Sequence, residues 1–380
     1  MSQRFPYLAV LLAAAICVGC QSRSDRQADH PVLKVSIEEC SVSLSDLFKR
    51  VELVPLATTE ESLFAQADKI EMHHDTIFLF DRTSRVLHIF APDGGPIRSI
   101  RKVGRGPGEY TMVSDFTIDP EQRTVLLLDP TGRLLEYGFD GTFLRERSLP
   151  RPPMNCRFVE WLAPNSCVTW SSVYETEQDA VRVLDRENRI RHSAFPHSSL
   201  WGSLCYGSVF NRYRDTVYYH ESLSGRVYAI TPDRCRIAYE WDPGIQPIDP
   251  GRLVVDKNAL AAAQQQLFED YMDGTIPFFF GPQLQSDRYY YTLLTFSQPA
   301  PVRISLFYDR KTGESRLFAK TKEGLSLDLK YMTDDYAVGL VDFSDREALK
   351  GLVSREEAIL LDRMRENDNP WIVKFHLKQN

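Results

Sequence analysis

Apolar residues between Lys69 and Leu377 fall in short β-branched and aromatic runs, separated by turn pairs rich in Asp, Gly, Asn and Pro. That is the pattern of strands joined by tight turns. Thr76–Asp81 (TIFLFD) and Arg85–Phe90 (RVLHIF) are two such runs, closed by the turn Pro92-Asp93-Gly94-Gly95. The phrase returns as Thr124–Asp129 and Arg133–Phe139 before Asp140-Gly141, as Ala180–Leu184 before Glu187-Asn188, as Gly225–Ile230 before Pro232-Asp233-Arg234, and as Val302–Tyr308 before Lys311-Thr312-Gly313. One landmark in each turn (Gly94, Gly141, Asn188, Arg234, Gly313) gives steps of 47, 47, 46 and 79 residues. A period of roughly 40–50 residues carrying four short strands is the spacing of propeller blades.

The long step is one period plus an insertion. Asp256–Tyr271 reads as an amphipathic helix with Leu260, Ala263, Leu267 and Tyr271 on one stripe. A second helix opens at the capping box Ser354-Arg-Glu-Glu357, runs to about Glu366 and is stopped by Pro370. The sixth copy is incomplete. Asp335–Phe343 reads as one strand, and Trp371, Val373, Phe375 and Leu377 alternate with Ile372, Lys374, His376 and Lys378 to give a buried and a wetter face. Val51–Leu56 is an orphan strand far upstream, and pairing it into the last copy would remove two open sheet edges. The expected fold is all-β, a six-bladed β-propeller of four-stranded blades, with helical insertions near 254–272 and 344–368.

The N-terminus departs from this pattern. Arg4 supplies positive charge, Tyr7–Val18 is an apolar run, and Gly19 is a small residue before a cut. The run is short of the roughly 20 residues a spanning helix needs. Cys17-Val18-Gly19-Cys20 resembles the lipobox of bacterial lipoproteins, with Cys17 where Leu is usual, and the resemblance implies lipidation at Cys20. Gln21–His30 is polar and aperiodic, as a tether is. The expected organisation is a signal peptide over 1–19, a tether over 20–33 and a single propeller over 34–380. The protein would sit in the cell envelope, held by its lipid and most simply at the outer membrane.

Removing the residues through Gly19 takes away Arg4 alone and moves the formal net charge from −7 to −8. This acidic, unclustered balance gives no footprint for nucleic acid. Cys40, Cys156, Cys167, Cys205 and Cys235 remain in the body. Their number is odd, and no pair has zinc spacing. Cys156 and Cys167 could bridge neighbouring strands, but buried free thiols are the simpler reading.

Several segments carry a likeness: Val51–Glu60 (VELVPLATTE), Phe80-Asp81, Val103–Tyr110 (VGRGPGEY), Ser114–Asp119 (SDFTID) and Asn369–Lys378 (NPWIVKFHLK). With these the chain resembles the six-bladed propeller lipoproteins of the Bacteroidetes-type envelope, related to NHL and TolB-like propellers. The resemblance implies fold and envelope location and brings no biochemical activity with it.

The phrase Gly104-Arg105-Gly106-Pro107-Gly108-Glu109-Tyr110 lacks the Gly-Lys-Ser/Thr ending of a phosphate loop and precedes strands. It reads as a tight crossing between blades, with Glu109 placed to bond backbone amides and Tyr110 to pack between blades. His73 and His74 are adjacent and in a strand would face opposite ways. His88, His192, His197 and His220 are scattered, so neither a metal nor another cofactor is expected. The run Tyr271–Phe280 lies outside the repeat, with Phe278, Phe279 and Phe280 in a loop that either packs over the sheet, the simpler reading, or is open to a ligand, and it is the first candidate binding surface. Trp170 and Tyr174 are the second. Two functions remain: a non-catalytic module presenting the propeller face to a protein, peptide or glycan, and a metal-assisted lyase or hydrolase using the central channel. Three convergent His in the channel would favour the second, and an apolar or mixed channel the first.

Overall fold

The computed structural model describes residues 30–150, 155–171, 179–196, 200, 204, 207–253, 255 and 257–378. Two strands precede the repeats: β1 (Val32–Lys34) and, after the short helix α1 (Leu44–Leu47), β2 (Phe48–Val54). Six four-stranded antiparallel units follow. Blade 1 holds β3 (Lys69–His73), β4 (Thr76–Asp81), β5 (Val86–Phe90) and β6 (Pro96–Ile100). Blade 2 holds β7 (Asp115–Asp119), β8 (Thr124–Leu128), β9 (Arg133–Gly138) and β10 (Phe143–Ser148). Blade 3 holds β11 (Cys156–Leu162), β12 (Ser166–Ser171), β13 (Asp179–Asp185) and β14 (Ile190–Pro196). Blade 4 holds β15 (Phe210–Tyr213), β16 (Thr216–His220), β17 (Arg226–Thr231) and β18 (Arg234–Asp242). After helix α2 (Leu260–Met272), blade 5 holds β19 (Phe278–Gln285), β20 (Tyr289–Phe296), β21 (Val302–Asp309) and β22 (Ser315–Phe318). Blade 6 holds β23 (Tyr331–Met332), β24 (Tyr336–Val341) and, after helices α3 (Arg346–Lys350) and α4 (Arg355–Leu361), β25 (Trp371–Leu377).

The first strand of each blade contacts the first strand of the next, from β3 through β7, β11, β15, β19 and β23 back to β3. The architecture is therefore an all-β six-bladed propeller. Its outermost closing strand comes from the N-terminal side: β2 pairs antiparallel with β25, Val51 opposite Phe375 and Leu53 opposite Val373. β1 adds a fifth strand to blade 4, parallel to β18, and so takes Val32 and Leu33 into a sheet.

Burial explains the wording of the strands. Second and third strands lie between neighbouring blades and are buried on both faces, so Ile77–Phe80 and Val125–Leu128 are apolar at every position. Each such side chain contributes about 1.5–3 kcal/mol by leaving water. Outer strands face solvent, and β6 and β10 are largely exposed. The alternation expected of Trp371–Leu377 is overruled for the same reason. Ile372 and Lys374 are as buried as Val373, because β25 is an inner member of its sheet and blade 1 covers its other face.

The insertions form as their sequences suggest, with shorter helices. α2 begins at Leu260, after a 3-10 turn over Lys257–Ala259, and buries Leu260, Leu267 and Tyr271 in a satellite core with Leu253, Ile276 and Phe279. Ser354 and Glu357 make the reciprocal capping box of α4, which ends at Leu361 rather than near Glu366. Cys40, Cys156, Cys167 and Cys235 are free thiols. Cys156 lies opposite Ser171 and Cys167 opposite Trp161, so strand register keeps that pair from bridging. Cys205 lies outside the described residues.

Candidate functional site

Every inner strand of a propeller has one edge without a strand partner, and its backbone groups need other partners. Around blades 1 to 3 side chains supply them. Asp115 Oδ2 accepts the Val159 N–H at 2.9 Å, and Thr117 Oγ1 accepts the Trp161 N–H at 3.0 Å. Lys69 Nζ donates to the carbonyls of Phe116 at 2.7 Å and Val159 at 3.3 Å, and Arg212 reaches across to the Ile118 carbonyl at 3.2 Å.

The same cations gather the carboxylates. Lys69 Nζ stands 3.0 Å from Glu160, 3.4 Å from Glu71 and 3.6 Å from Asp115. Arg212 Nη2 stands 3.0 Å from Glu71, and its Nε 3.8 Å from Glu160. Burial pulls the Lys69 ammonium down, but Asp115, Glu160 and Glu71 together hold it above its ordinary value. Arg212 is raised likewise: Glu71 and Glu160 outweigh its burial. Burial pushes Asp115 up to about 6, only partly offset by Lys69. Glu71 and Glu160 divide the remaining strain. Burial and the Glu160 charge push Glu71 upward. For Glu160 burial is overcome by Lys69 and Arg212, and its pKa falls. Glu71 is therefore the more readily protonated of the two.

Beside this network the channel holds a cavity of about 230 Å³. Phe210, Pro282, Leu284 and Tyr331 give it an apolar side, and Asn211 and Arg212 a polar one. Glu71 Oε1 is buried there without a hydrogen-bond partner. The cluster presents fixed cations and an unpaired carboxylate oxygen to a polar ligand.

The residues expected to bind lie elsewhere. Phe278–Phe280 are not in a loop but form the start of β19, and the register slips between Phe280 and Gln283, at Gly281-Pro282. Phe278, Phe279, Phe280 and Tyr271 are all buried, Phe279 against Tyr271 with ring centres 5.3 Å apart. Trp170 is buried against Phe158 at 5.6 Å. None of these ring faces is open at the surface. Tyr174 and the lipidation candidate Cys20 lie outside the described residues.

The glycine-rich phrase makes a knot between blades 1 and 2. Gly106 N–H donates to Glu109 Oε2 at 2.7 Å. Gly108 has φ +69°, and a Cβ there would stand 2.5 Å from the Phe143 ring. The Tyr110 hydroxyl is fully buried. It donates toward the carbonyls of Arg85 and Ile100, each at 3.0 Å, and accepts the Lys102 N–H at 3.2 Å. Arg105 and Pro107 are exposed and Gly104 half-buried.

The described histidines do not converge, and His197 lies outside the described residues. His88 is on a third strand bonded to Ser99, and His220 on a second strand of blade 4. Burial lowers each to about 4, so both are neutral. His73 and His74 do not face opposite ways: His74 sits in the turn with φ +45°, and the two rings lie 4.1 Å apart. Among the described residues no three His, Cys, Asp or Glu side chains are grouped to hold a metal ion.

The channel residues belong to no named sequence motif. Their signal is alternate polar side chains in the first strands of blades 1 and 2, Lys69 and Glu71 and then Asp115 and Thr117, and one charged axial residue each, Glu160 and Arg212, in those of blades 3 and 4.

Two solved structures share this architecture. A protein of Bacteroides fragilis described as exported is 17% identical with a TM-score of 0.76, over 92% of this chain and 100% of that one. A DUF4221 member from Bacteroides vulgatus is 8% identical with a TM-score of 0.54, over 86% of this chain and 98% of that one. At these identities the likeness shows the fold. No curated protein matches the sequence. Residues 31–376 match the family described as a domain of unknown function, DUF4934, and the chain, matched over most of its length, belongs to that family.

Proposed function

We propose that this protein is an exported, lipid-anchored envelope propeller that binds a small polar ligand in its axial channel without transforming it. The observation that carries the reading is the composition of the channel. It is mixed, with an ion network on one side and an open, partly apolar cavity on the other, in place of three convergent imidazoles. Its cations are held by carbonyls as well as carboxylates, which makes a fixed recognition surface. Envelope location rests on the signal-like run ending at Cys20, on the likeness to propeller lipoproteins related to the NHL and TolB-like group, and on the exported description of the Bacteroides fragilis protein.

Thermal-shift titration with amino acids, uronic acids and sugar phosphates tests the binding. At least one class should raise the melting temperature of the wild type and leave Asn211→Trp, which fills the cavity, unmoved. No shift with any class, an equal shift in the filled variant, or chemical turnover of a binder would sink the reading. Labelling with radioactive palmitate tests the anchor: wild type should incorporate it and Cys20→Ala should not.

A further inference from the structure

A second cavity, of about 490 Å³, spans three blades on the side of the ring where the inner strands begin. Its floor is aliphatic: Met112, Val113 and Pro130. Met112 is 58% exposed, a large apolar side chain held in water. Three arginines stand around this floor, Arg82 and Arg85 from the turn between β4 and β5 and Arg157 from the start of β11.

Two of these arginines are fixed in place by backbone. Arg82 Nε donates to the Ser114 carbonyl at 3.1 Å, and Arg85 Nη1 to the Thr111 carbonyl at 2.9 Å. These carbonyls flank the Met112-Val113 pair. Arg85 is fixed a second time, because its own carbonyl accepts the buried Tyr110 hydroxyl. The Gly104–Tyr110 knot thus sets one wall of the groove, which gives that phrase a role beyond packing two blades. A guanidinium has five N–H donors in a rigid fork, so each arginine bonded in this way keeps donors for a ligand.

Among the described residues lining the groove none is acidic and none is aromatic. The Asp68 carboxylate stands 3.6 Å from Arg82 at the edge of the groove, and it also lines the axial cavity. The groove is therefore cationic on a chain whose formal net charge is −7, and the attraction of an anion is local to it. Sugar rings and nucleobases stack on aromatic side chains, which this floor lacks. Carboxylates match the guanidinium fork, and a methionine floor adapts to aliphatic side chains.

We propose that this groove binds an extended acidic peptide segment of a partner protein, its carboxylates on Arg82, Arg85 and Arg157 and an aliphatic side chain on Met112, Val113 and Pro130. The site is distinct from the axial cavity, and its test is independent of that reading.

Fluorescence anisotropy with a short labelled peptide of alternating Glu and Leu gives the test, with the Gln-for-Glu peptide and an oligogalacturonate as the alternatives. The acidic peptide should bind, and weaken as salt is raised. Arg85→Gln and Arg157→Gln should each weaken it by about ten-fold, the loss expected of a charge-assisted pair. Met112→Ser, at an exposed position that leaves the fold intact, should weaken it several-fold. Arg189→Gln, an exposed arginine of blade 3 paired with Asp185, should leave affinity unchanged. Melting temperatures within error of wild type show that the variants fold. Absence of binding, equal binding of the Gln peptide, preference for the oligogalacturonate, or affinity that survives all three groove substitutions would overturn the proposal.

Discussion

The blade 1–3 side of the axis and the blade 4–6 side start from the same problem, inner strands with an unpaired edge, and solve it differently. On the first side long and short polar side chains cross from one strand to the next: Lys69 to the Phe116 and Val159 carbonyls, Asp115 and Thr117 to the amides of Val159 and Trp161. Lys69 also forms part of the cavity wall. On the second side β19 carries Pro282, which has no N–H to satisfy, and Leu284, Leu329 and Tyr331 stand back around open volume. Arg212 marks the border, rooted in blade 4 and bonded to blades 1 and 2. Charge at the axis thus follows first from capping strand edges, and the cavity lies between that charged wall and the apolar one of Phe210, Pro282, Leu284 and Tyr331.

The largest effect should come from breaking the open side at its rim. A chain lacking residues 31–56 loses β2 and exposes the full edge of β25. It should aggregate or unfold, seen in size-exclusion chromatography and circular dichroism. A monomer with wild-type melting temperature would show that blade 6 does not need its N-terminal strand.

Next is the closed side itself. Lys69→Met leaves Glu71, Asp115 and Glu160 buried around a missing cation. Removing one partner of a buried ion network costs about 3–5 kcal/mol, and urea denaturation should read a loss of that size. A loss below about 1 kcal/mol, as for an exposed pair, would place the network in water.

Away from the axis, Tyr110→Phe keeps the ring between blades 1 and 2 but strips the carbonyls of Arg85 and Ile100 and the Lys102 amide of their shared partner. About 1–3 kcal/mol should be lost by the same denaturation assay. An unchanged midpoint would mean that the knot is held by its apolar contacts alone.

The smallest effect is a slope. Folded Glu71 keeps a proton that unfolded Glu71, with its ordinary value of 4.5, has released. Between that value and the raised folded one the native state binds more protons, so this group's contribution to stability falls as pH rises. Glu71→Gln mimics the protonated form. Relative to wild type its melting temperature should climb from pH 4.5 toward neutrality, whereas a parallel pH profile would mean that Glu71 stays ionised.

Most of the ring was legible from sequence because third strands and their turns repeat with little drift, and Gly94, Gly141 and Asn188 hold the period. The closing role of Val51–Leu56 was legible too, since a sheet edge asks for a partner. Two things were not. Phe278–Phe280 read as a loop because they follow the inserted helix and lie outside the repeat, although they open a strand that continues through the irregularity at Gly281-Pro282 to Gln285. The axial residues escaped because one or two polar side chains in a short strand make no named motif, and only the ring brings Lys69, Glu160 and Arg212, far apart in sequence, within contact.

Zinc content of protein purified without chelator, compared between wild type and His73→Ala, tests most directly whether the axis is an ion-paired binding surface. The account predicts substoichiometric zinc that does not change with the substitution. One zinc per chain, lost on replacing His73 while the fold and melting temperature persist, would contradict it and return the channel to metal-assisted chemistry.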